Sequence, residues 1–296
     1  EILYKKMNVM ILGASGFLGS HLCNFLKKKN TILRCGRNKN SDIILKKIEQ
    51  KKFSKILKKY IPDVIINLIA LTDVDLCEKH RKKAEKINSG IVKTITQSVN
   101  QNKLTKKIFL LQISTDQVYS GEGLHKENSV KPINVYAATK LNGEKYVKKI
   151  KGCVIRTNFF GKPLNNSKQG ITDWVFHSLK KGENISVFKN VKFSPLSIIS
   201  LCKYIEIVIN KKIPGIYNLG SKNGLSKANF AINFAKKLKL NTKLLKIVDY
   251  KKEQLIAKRP LDMRMNINQF EKKFMIKLKS LNSEINLISK QYKTNR

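Results

Sequence analysis

The amino-acid sequence predicts an α/β fold, a doubly wound parallel sheet with a smaller C-terminal lobe. Three observations predict it. Short apolar runs alternate with amphipathic stretches through the first half of the 296-residue chain, a glycine-rich turn follows the first run, and the alternation loosens beyond residue 150. Because such alternation produces parallel strands joined by helices, the sheet should be covered on both faces.

The first half of the chain supplies most of the predicted sheet. Its apolar runs are short and end in glycine or polar residues, which is typical of buried parallel strands. The stretches between them carry apolar residues at helical spacing. The predicted strands are 8–12, 31–35, 64–68 and 107–113, and the predicted helices are 17–29, 43–60 and 84–99, with a further helix beginning at Tyr136.

In the second half of the chain, the stretches that predict strands and helices are fewer and more widely separated. Strands are predicted at 153–156 and 215–219 and helices at 174–181 and 227–239, whereas 246–265 is predicted to be irregular. We therefore expect residues 1–155 to form the sheet domain. Residues 156–296 should form mainly the smaller lobe, with some segments returning to the sheet.

Composition argues against several classes of protein. The formal net charge is +40, but the lysines are spread in pairs and triplets beside apolar helical stretches, as on solvated helix faces, and are not clustered with stacking aromatics as a nucleic-acid site requires. The five cysteines are isolated and the four histidines lack metal-site spacing, so we expect free thiols and no metal. The absence of a membrane-length apolar run and of a signal peptide favours a cytoplasmic protein with no membrane partner.

A glycine loop follows the first predicted strand. Gly13, Gly16 and Gly19 are spaced as GxxGxxG between that strand and the first helix. The first glycine permits a tight turn, the second lets backbone amides approach a pyrophosphate, and the third lets the helix pack against the sheet. A strand before and a helix after are the context that makes this motif informative. The sequence therefore predicts a Rossmann-type dinucleotide-binding domain, with Phe17 and Leu18 also at the cofactor.

The end of the second predicted strand bears on the choice of dinucleotide. An acid there would bond the ribose 2′-hydroxyl of NAD, but the sequence continues as Cys-Gly-Arg-Asn-Lys at 35–39. An arginine at this position accommodates a 2′-phosphate. We therefore expect Arg37 to contact the cofactor and NADP(H) to be preferred, with NAD(H) left open.

Three residues have the chemistry of proton transfer. Tyr136 and Lys140, four residues apart, share one face of a predicted helix. An ammonium group beside a phenol favours the phenolate and lowers the pKa of the tyrosine, so the phenol can donate or accept a proton as a hydride moves. Thr115 follows a predicted strand, where its hydroxyl can polarise the same carbonyl oxygen. The pattern predicts an oxidoreductase.

Together these motifs resemble the extended short-chain dehydrogenase/reductases, and among them the dTDP-4-dehydrorhamnose reductase group. The resemblance covers nearly the whole chain and includes TDVDLCE at 72–78, PINVY at 132–136 and RP at 259–260. The first and last of these favour this group over extended reductases at large. Two departures concern the sugar: Gln117 replaces the usual aromatic residue after Ser-Thr-Asp, and Phe159 stands where the group usually has tryptophan.

The resemblance implies a function and a set of site residues. It implies NAD(P)H-dependent reduction of a 4-keto-6-deoxy nucleotide-sugar for surface-polysaccharide precursors, a C-terminal lobe that binds this substrate, and it allows a homodimer. The implied catalytic set is Thr115, Tyr136 and Lys140. The implied cofactor contacts are Gly13, Gly16, Phe17, Leu18, Gly19, Arg37, Ala70, Thr72, Tyr136 and Lys140, and the implied substrate contacts are Thr115, Asp116, Phe159 and Arg259.

Three alternatives share much of this pattern. A nucleotide-sugar dehydratase would carry Asp-Glu after the threonine, but Gln117 follows Asp116 here, so loss of water lacks its usual second acid. A nucleotide-sugar epimerase uses the same tyrosine and lysine and stays open. A non-catalytic, NADP-binding regulatory subunit also stays open, although the intact catalytic set argues against lost catalysis.

Overall fold

The computed structural model describes residues 6–164, 170–251 and 255–293. In these ranges the strands are β1 (Asn8–Leu12), β2 (Thr31–Gly36), β3 (Ile43–Ile44), β4 (Val64–Asn67), β5 (Phe109–Thr115), β6 (Gly152–Thr157), β7 (Phe159–Phe160), β8 (Ile185–Phe188), β9 (Lys192–Phe193), β10 (Leu196–Ser197), β11 (Gly215–Leu219), β12 (Leu225–Ser226) and β13 (Leu245–Val248). The helices are α1 (Phe17–Leu26), α2 (Gln50–Tyr60), α3 (Val74–Lys79), α4 (Arg81–Glu85), α5 (Ile91–Gln101), α6 (Val135–Val147), α7 (Ile171–Lys180), α8 (Ile198–Lys211), α9 (Lys227–Lys237), α10 (Asn268–Phe274) and α11 (Leu281–Lys293).

The main sheet of the described residues has seven parallel strands in the order β3-β2-β1-β4-β5-β6-β11. The predicted Rossmann-type α/β fold is confirmed. Leu12 pairs in register with Cys35 on one side and with Asn67 on the other, so β1, β2 and β4 end close together. In sheets of this kind, ligands bind beyond the carboxyl ends of the strands where the strand order reverses. Here that point lies beside β1 and β4.

The central strands are continuous apolar runs because helices cover both of their faces. β4 and β5 are buried over their whole length, and β1 is buried after its first residue. Their side chains share a core with Phe53 and Leu57 of α2 and Ile95 of α5. Each large apolar side chain buried in this way contributes about 1.5–3 kcal/mol. The strand ends that carry the predicted site residues are therefore held by a well-packed core.

The described chain divides into two compact units. Unit 1 comprises the described residues up to Thr115, together with Asn134–Arg156 and Tyr204–Tyr217. Unit 2 comprises Asp116–Ile133 and the described residues of 157–203 and 218–296. The predicted division into domains 1–155 and 156–296 stays a prediction.

Unit 2 is built on short strand pairs and an aromatic core. β8 pairs with β13 and β7 with β10 in parallel, whereas β9 pairs with β12 antiparallel. The rings of Phe160 and Phe230 meet edge to face at 4.8 Å between centroids, and Tyr292 meets Phe234 at 5.3 Å. The Tyr292 hydroxyl donates to Asp173 at 2.6 Å, which ties α11 to α7.

The predicted helix 43–60 is wrong over its first residues. Ile43–Ile44 form β3, which pairs with the end of β2, and α2 begins only at Gln50. The amide of Leu45 donates to the carbonyl of Gly36 at 2.7 Å. Strand pairing at the sheet edge therefore overrides the helical spacing of the isoleucines, whose branched side chains suit strands as well as helices.

The predicted helix 84–99 differs in both bounds and geometry. Helical structure begins with α4 and reaches the end of α5, and a π-helical turn at Lys86–Gly90 joins the two. A π turn inserts one residue without breaking the apolar face, so spacing alone does not predict it. The stretch 246–265, predicted to be irregular, overlaps β13 at its start, because Leu245–Val248 add a parallel strand to β8.

Candidate active site

The glycine loop turns tightly beyond the end of β1. Gly13 has φ +86°, and the amides of Gly13 and Ala14 both donate to the Cys35 carbonyl of β2, at 2.9 and 3.2 Å. A Cβ on Gly19 would lie 2.2 Å from the Gly13 carbonyl oxygen, so only glycine lets α1 approach the loop this closely. No side chain caps α1 at Gly16. The loop therefore fits a diphosphate, with the positive end of α1 facing it.

The other predicted cofactor residues lie on or beside the same loops. Phe17 is half-buried at the start of α1, and Leu18 is buried behind it. Arg37 is exposed directly after β2. Ala70 is half-buried and Thr72 is exposed, both beyond the end of β4. Because β1, β2 and β4 are neighbours, the structure brings these residues to one edge of the sheet.

Asp42, an acid close to Arg37 in the sequence, is engaged with another arginine. Its carboxylate accepts hydrogen bonds from the backbone amide of Arg34 at 2.8 Å and from the Arg34 guanidinium at 2.7 Å. The hydrogen bond from the Arg34 side chain is the main reason that the pKa of Asp42 is lowered. Asp42 is therefore not placed as the acid that would recognise the ribose of NAD.

Asn88 anchors the loop that carries Ala70 and Thr72. Its side-chain oxygen accepts from the Leu71 amide at 2.8 Å, and its side-chain nitrogen donates to the Leu71 carbonyl at 3.2 Å and to the Thr139 hydroxyl at 3.0 Å. Asn88 lies in the π-helical turn and is 1% exposed. Such turns are frequent at functional sites. The sequence alone does not predict a role for Asn88, because a single asparagine in a helical stretch gives no positional signal.

The predicted catalytic set lies entirely in unit 1. Thr115 is the last residue of β5, while Tyr136 and Lys140 lie one turn apart on α6. The three side chains are buried, with 4–8% of each residue exposed. Asn134 caps α6 by accepting from the Ala137 amide at 2.8 Å. The cap therefore fixes the start of α6 just before Tyr136, the predicted proton donor.

Lys140 joins the helix to the strand that ends in Thr115. Its Nζ donates to the Ile113 carbonyl of β5 at 2.6 Å. Burial lowers the pKa of Lys140 from 10.5 to about 8, and the negative charge of Glu144 opposes this decrease. At neutral pH the ammonium form is therefore retained, which is the form that stabilises a neighbouring phenolate.

The predicted substrate residues other than Thr115 lie in unit 2. Asp116 is 1% exposed and accepts from the side chain of Asn158 at 2.8 Å. Phe159 is half-buried in β7, where it pairs with Leu196. Arg259 is half-buried, and its Nη1 donates to the Ala257 carbonyl at 2.9 Å.

Lys227 is a half-buried lysine for which the local sequence gives no signal. It is the first residue of α9 in unit 2. Burial is the main cause of its lowered pKa; the charge of Asp116 opposes the decrease, and that of Arg259 adds to it. A cavity of about 300 Å³ in the same unit is lined by Lys227 together with Trp174 and Phe188. Two cations beside one carboxylate suit an anionic ligand.

No group of three or more histidines, cysteines or acids in the described ranges could hold a metal ion. No helix in those ranges is both long and apolar enough to cross a membrane. Unit 1 therefore offers candidate cofactor and catalytic residues at its strand ends, and unit 2 offers a candidate anion-binding group around Lys227.

Residues 7–294 match the family model described as RmlD substrate binding domain. The chain is 26% identical to the dTDP-4-dehydrorhamnose reductase of Shigella flexneri, over 92% of this chain and 93% of that protein.

Two solved structures have the same fold. A hypothetical dTDP-4-dehydrorhamnose reductase from Sulfolobus tokodaii is 31% identical with a TM-score of 0.78, over 90% of this chain and 94% of that chain. The dTDP-4-dehydrorhamnose reductase of Bacillus anthracis, solved in complex with NADP, has a TM-score of 0.86 at 24% identity, over 97% of this chain and 100% of that chain. At 24% identity, this second likeness concerns the fold alone.

Proposed function

The chain belongs to the RmlD substrate binding domain family, and from that membership we propose that it is an NAD(P)H-dependent oxidoreductase that reduces a 4-keto-6-deoxy nucleotide-sugar. The relatives named dTDP-4-dehydrorhamnose reductase match it over almost their whole length. Such a reduction supplies a deoxysugar nucleotide for polysaccharide precursors. The observation that carries the proposal is the burial of Thr115, Tyr136 and Lys140 in one unit, with the lysine bonded to the strand that ends in the threonine.

The cofactor proposed is NADP(H), with NAD(H) as a second choice. The close approach between Gly13 and Gly19 and the uncapped start of α1 fit a diphosphate. Arg37 at the end of β2 fits a 2′-phosphate better than a free 2′-hydroxyl. The reduced nicotinamide supplies the hydride when it is bound.

The residues of unit 1 would handle the proton. The Tyr136 phenol donates a proton to the carbonyl oxygen as the hydride arrives at the carbon, and the resulting phenolate is stabilised by the Lys140 ammonium. The Thr115 hydroxyl donates a hydrogen bond to the same oxygen and stabilises its developing charge. Low exposure of all three side chains strengthens these interactions, because less water competes for them.

The residues of unit 2 would hold the nucleotide-sugar. Lys227 and Arg259 provide two positive charges against the single charge of Asp116, so the group keeps a net positive charge that attracts a diphosphate. Phe159 offers an apolar face to the sugar. The specific substrate proposed is dTDP-4-dehydrorhamnose, after the names of the relatives. A homodimer, a cytoplasmic location and the lack of a nucleic-acid partner are proposed on sequence grounds only.

The experiment that tests this function is oxidation of NADPH by the purified protein with dTDP-4-dehydrorhamnose. We expect turnover with the wild type and a decrease in kcat of about 10³-fold or more in Tyr136→Phe, because the proton donor is lost. Tyr146→Phe is the matched control, since Tyr146 is a half-buried tyrosine on the same helix, outside the catalytic set.

Two results would contradict the proposal. Wild-type protein that binds NADPH but oxidises it with none of a panel of keto nucleotide-sugars would favour the regulatory-subunit alternative. Interconversion of two nucleotide-sugars without net loss of NADPH would favour the epimerase alternative.

A further inference from the structure

A buried ionic network connects α6, β5 and β6 in unit 1. The carboxylate of Glu144 accepts from the Ser114 hydroxyl at 2.5 Å and from the Arg156 guanidinium at 2.6 Å through Nη2 and at 3.0 Å through Nε. Glu144 and Arg156 are each 2% exposed, and Ser114 is 5% exposed. One carboxylate of α6 therefore bonds both to β5, next to its carboxyl end, and to the neighbouring strand β6.

The members of this network are neighbours of the proposed catalytic set. Glu144 lies one helical turn beyond Lys140 on α6, and Ser114 directly precedes Thr115 on β5. Lys140 donates to the carbonyl of Ile113, the residue before Ser114. α6 and β5 are thus joined at two successive residues of the strand, by Lys140 at Ile113 and by Glu144 at Ser114.

We propose that Glu144 is a positioning residue, which through Ser114 and Arg156 fixes the strand end carrying Thr115 against α6 and sets its own buried carboxylate one helical turn from Lys140. The inference rests on the proposed function for its catalytic meaning, since Lys140 matters as an ammonium group only if Tyr136 transfers a proton. Neither Glu144 nor Arg156 touches the reacting atoms in this scheme.

The energetics favour a positioning role over a stabilising one. Removing two charges from water costs several kcal/mol per ion, and a buried ion pair often does no better than apolar residues of the same volume. The bidentate geometry between Arg156 and Glu144 recovers part of this cost. A buried pair beside a buried lysine is therefore better explained by its geometry and charge than by added stability.

Few other charges face Lys140. β5 carries no ionisable side chain, and the charged residues of α4 and α5 are exposed. On α3, the carboxylate of Glu78 accepts from the Val135 amide at the start of α6, and burial raises the pKa of the Cys77 thiol to about 11, so it stays neutral. Glu144 is the charge that opposes the effect of burial on Lys140, and Tyr136 is the other ionisable group on this part of α6.

The test is a direct titration of Lys140 in protein labelled with carbon-13 at the lysine Cε, with its resonance assigned by loss in Lys140→Met. The wild-type midpoint should lie near pH 8. In Glu144→Gln we expect the midpoint to fall by about one unit, because burial then acts without an opposing carboxylate. Glu284→Gln is the matched control: Glu284 is a fully buried carboxylate that accepts from Ser197 in unit 2.

The outcomes separate this inference from the proposed function. An unchanged midpoint in Glu144→Gln, or an equal decrease in Glu284→Gln, would overturn the positioning role. If Glu144→Gln fails to fold because Arg156 is left unpaired, the double variant Glu144→Gln/Arg156→Met removes both charges, and the same decrease is expected. Wild-type protein with the expected midpoints but no turnover would refute the proposed function and leave the effect of Glu144 on Lys140 standing.

Discussion

Each unit contains a lysine withdrawn from solvent, fully for Lys140 and partly for Lys227, and the surroundings of the two lysines differ. Lys140 in unit 1 bonds to the carbonyl of Ile113 and has the carboxylate of Glu144 one helical turn away. Lys227 in unit 2 has Asp116 as a neighbour but also a second cation, Arg259. Burial lowers the pKa of both lysines.

The difference indicates that the two lysines have different roles. Fixed groups of the protein hold the Lys140 ammonium in place. This arrangement suits a residue that must stabilise the phenolate of Tyr136 without moving. Lys227 and Arg259 carry more positive charge than Asp116 neutralises, which suits a ligand that brings its own negative charge. Substitutions at the two lysines should therefore change different kinetic parameters, kcat for Lys140 and KM for Lys227.

The largest effect should follow from Lys140→Met. We expect kcat to fall about 10²–10⁴-fold, because the phenolate of Tyr136 loses its stabilising cation, while the substrate KM changes little. In the wild type, kcat should decline as pH rises through about 8, since Lys140 loses its proton there. Steady-state kinetics across pH measure both effects.

The control for Lys140→Met is Lys145→Met, at an exposed lysine of the same helix whose Nζ donates to Asn142. This variant should keep both the rate and the pH profile of the wild type. A large increase in KM with unchanged kcat in Lys140→Met would place Lys140 in ligand binding and remove the distinction between the two lysines.

An intermediate effect should follow from Lys227→Met. We expect the KM for the nucleotide-sugar to rise about 10–100-fold with kcat within a few-fold of the wild type, because a half-buried charge–charge contact with the diphosphate is lost. Competition by free nucleoside diphosphate should weaken to the same extent. Lys236→Met, at an exposed lysine on the same helix, is the control. Equal KM values in Lys227→Met and Lys236→Met would show that burial of Lys227 has no bearing on the ligand.

The smallest effect should follow from Arg37→Ser. Arg37 is exposed, so solvent screens its charge more than that of buried Lys140 or half-buried Lys227. We expect the preference for NADPH over NADH to fall about 10-fold, measured as the ratio of the two kcat/KM values. Lys39→Ser, at an exposed cation two residues further on, should leave this ratio unchanged. An unchanged ratio in Arg37→Ser would remove the basis for proposing NADP over NAD.

The sequence predicted the parts of the site that depend on local spacing. The glycine triplet, the pair Tyr136 and Lys140, and Arg37 after β2 are each defined by their distance along the chain from a strand or helix. Spacing along the chain determines where these residues lie in the structure, because the regular geometry of strands and helices converts it directly into position. The predicted fold and family are confirmed for the same reason.

The sequence could not predict what depends on tertiary burial. Lys227 has the same local pattern as the many lysines that begin or end surface helices, and only packing partly buries it near the charge of Asp116. Asn88 gains its role from a π-helical turn that leaves the apolar spacing intact. The edge strand β3 was not predicted, because its isoleucines also fit the helical spacing. In each case the deciding contact is made with a residue distant in sequence.

The measurement that tests the proposed chemistry most directly is isotope transfer from NADPH deuterated at the transferable position of its nicotinamide. With dTDP-4-dehydrorhamnose as substrate, NMR of the product should show one deuterium at C4 for each NADPH consumed, and the Tyr136→Phe variant should form almost none of it. A product that carries no deuterium at C4, or that takes up deuterium from heavy water at a neighbouring carbon while NADPH persists, would contradict reduction and identify the reaction as an epimerisation.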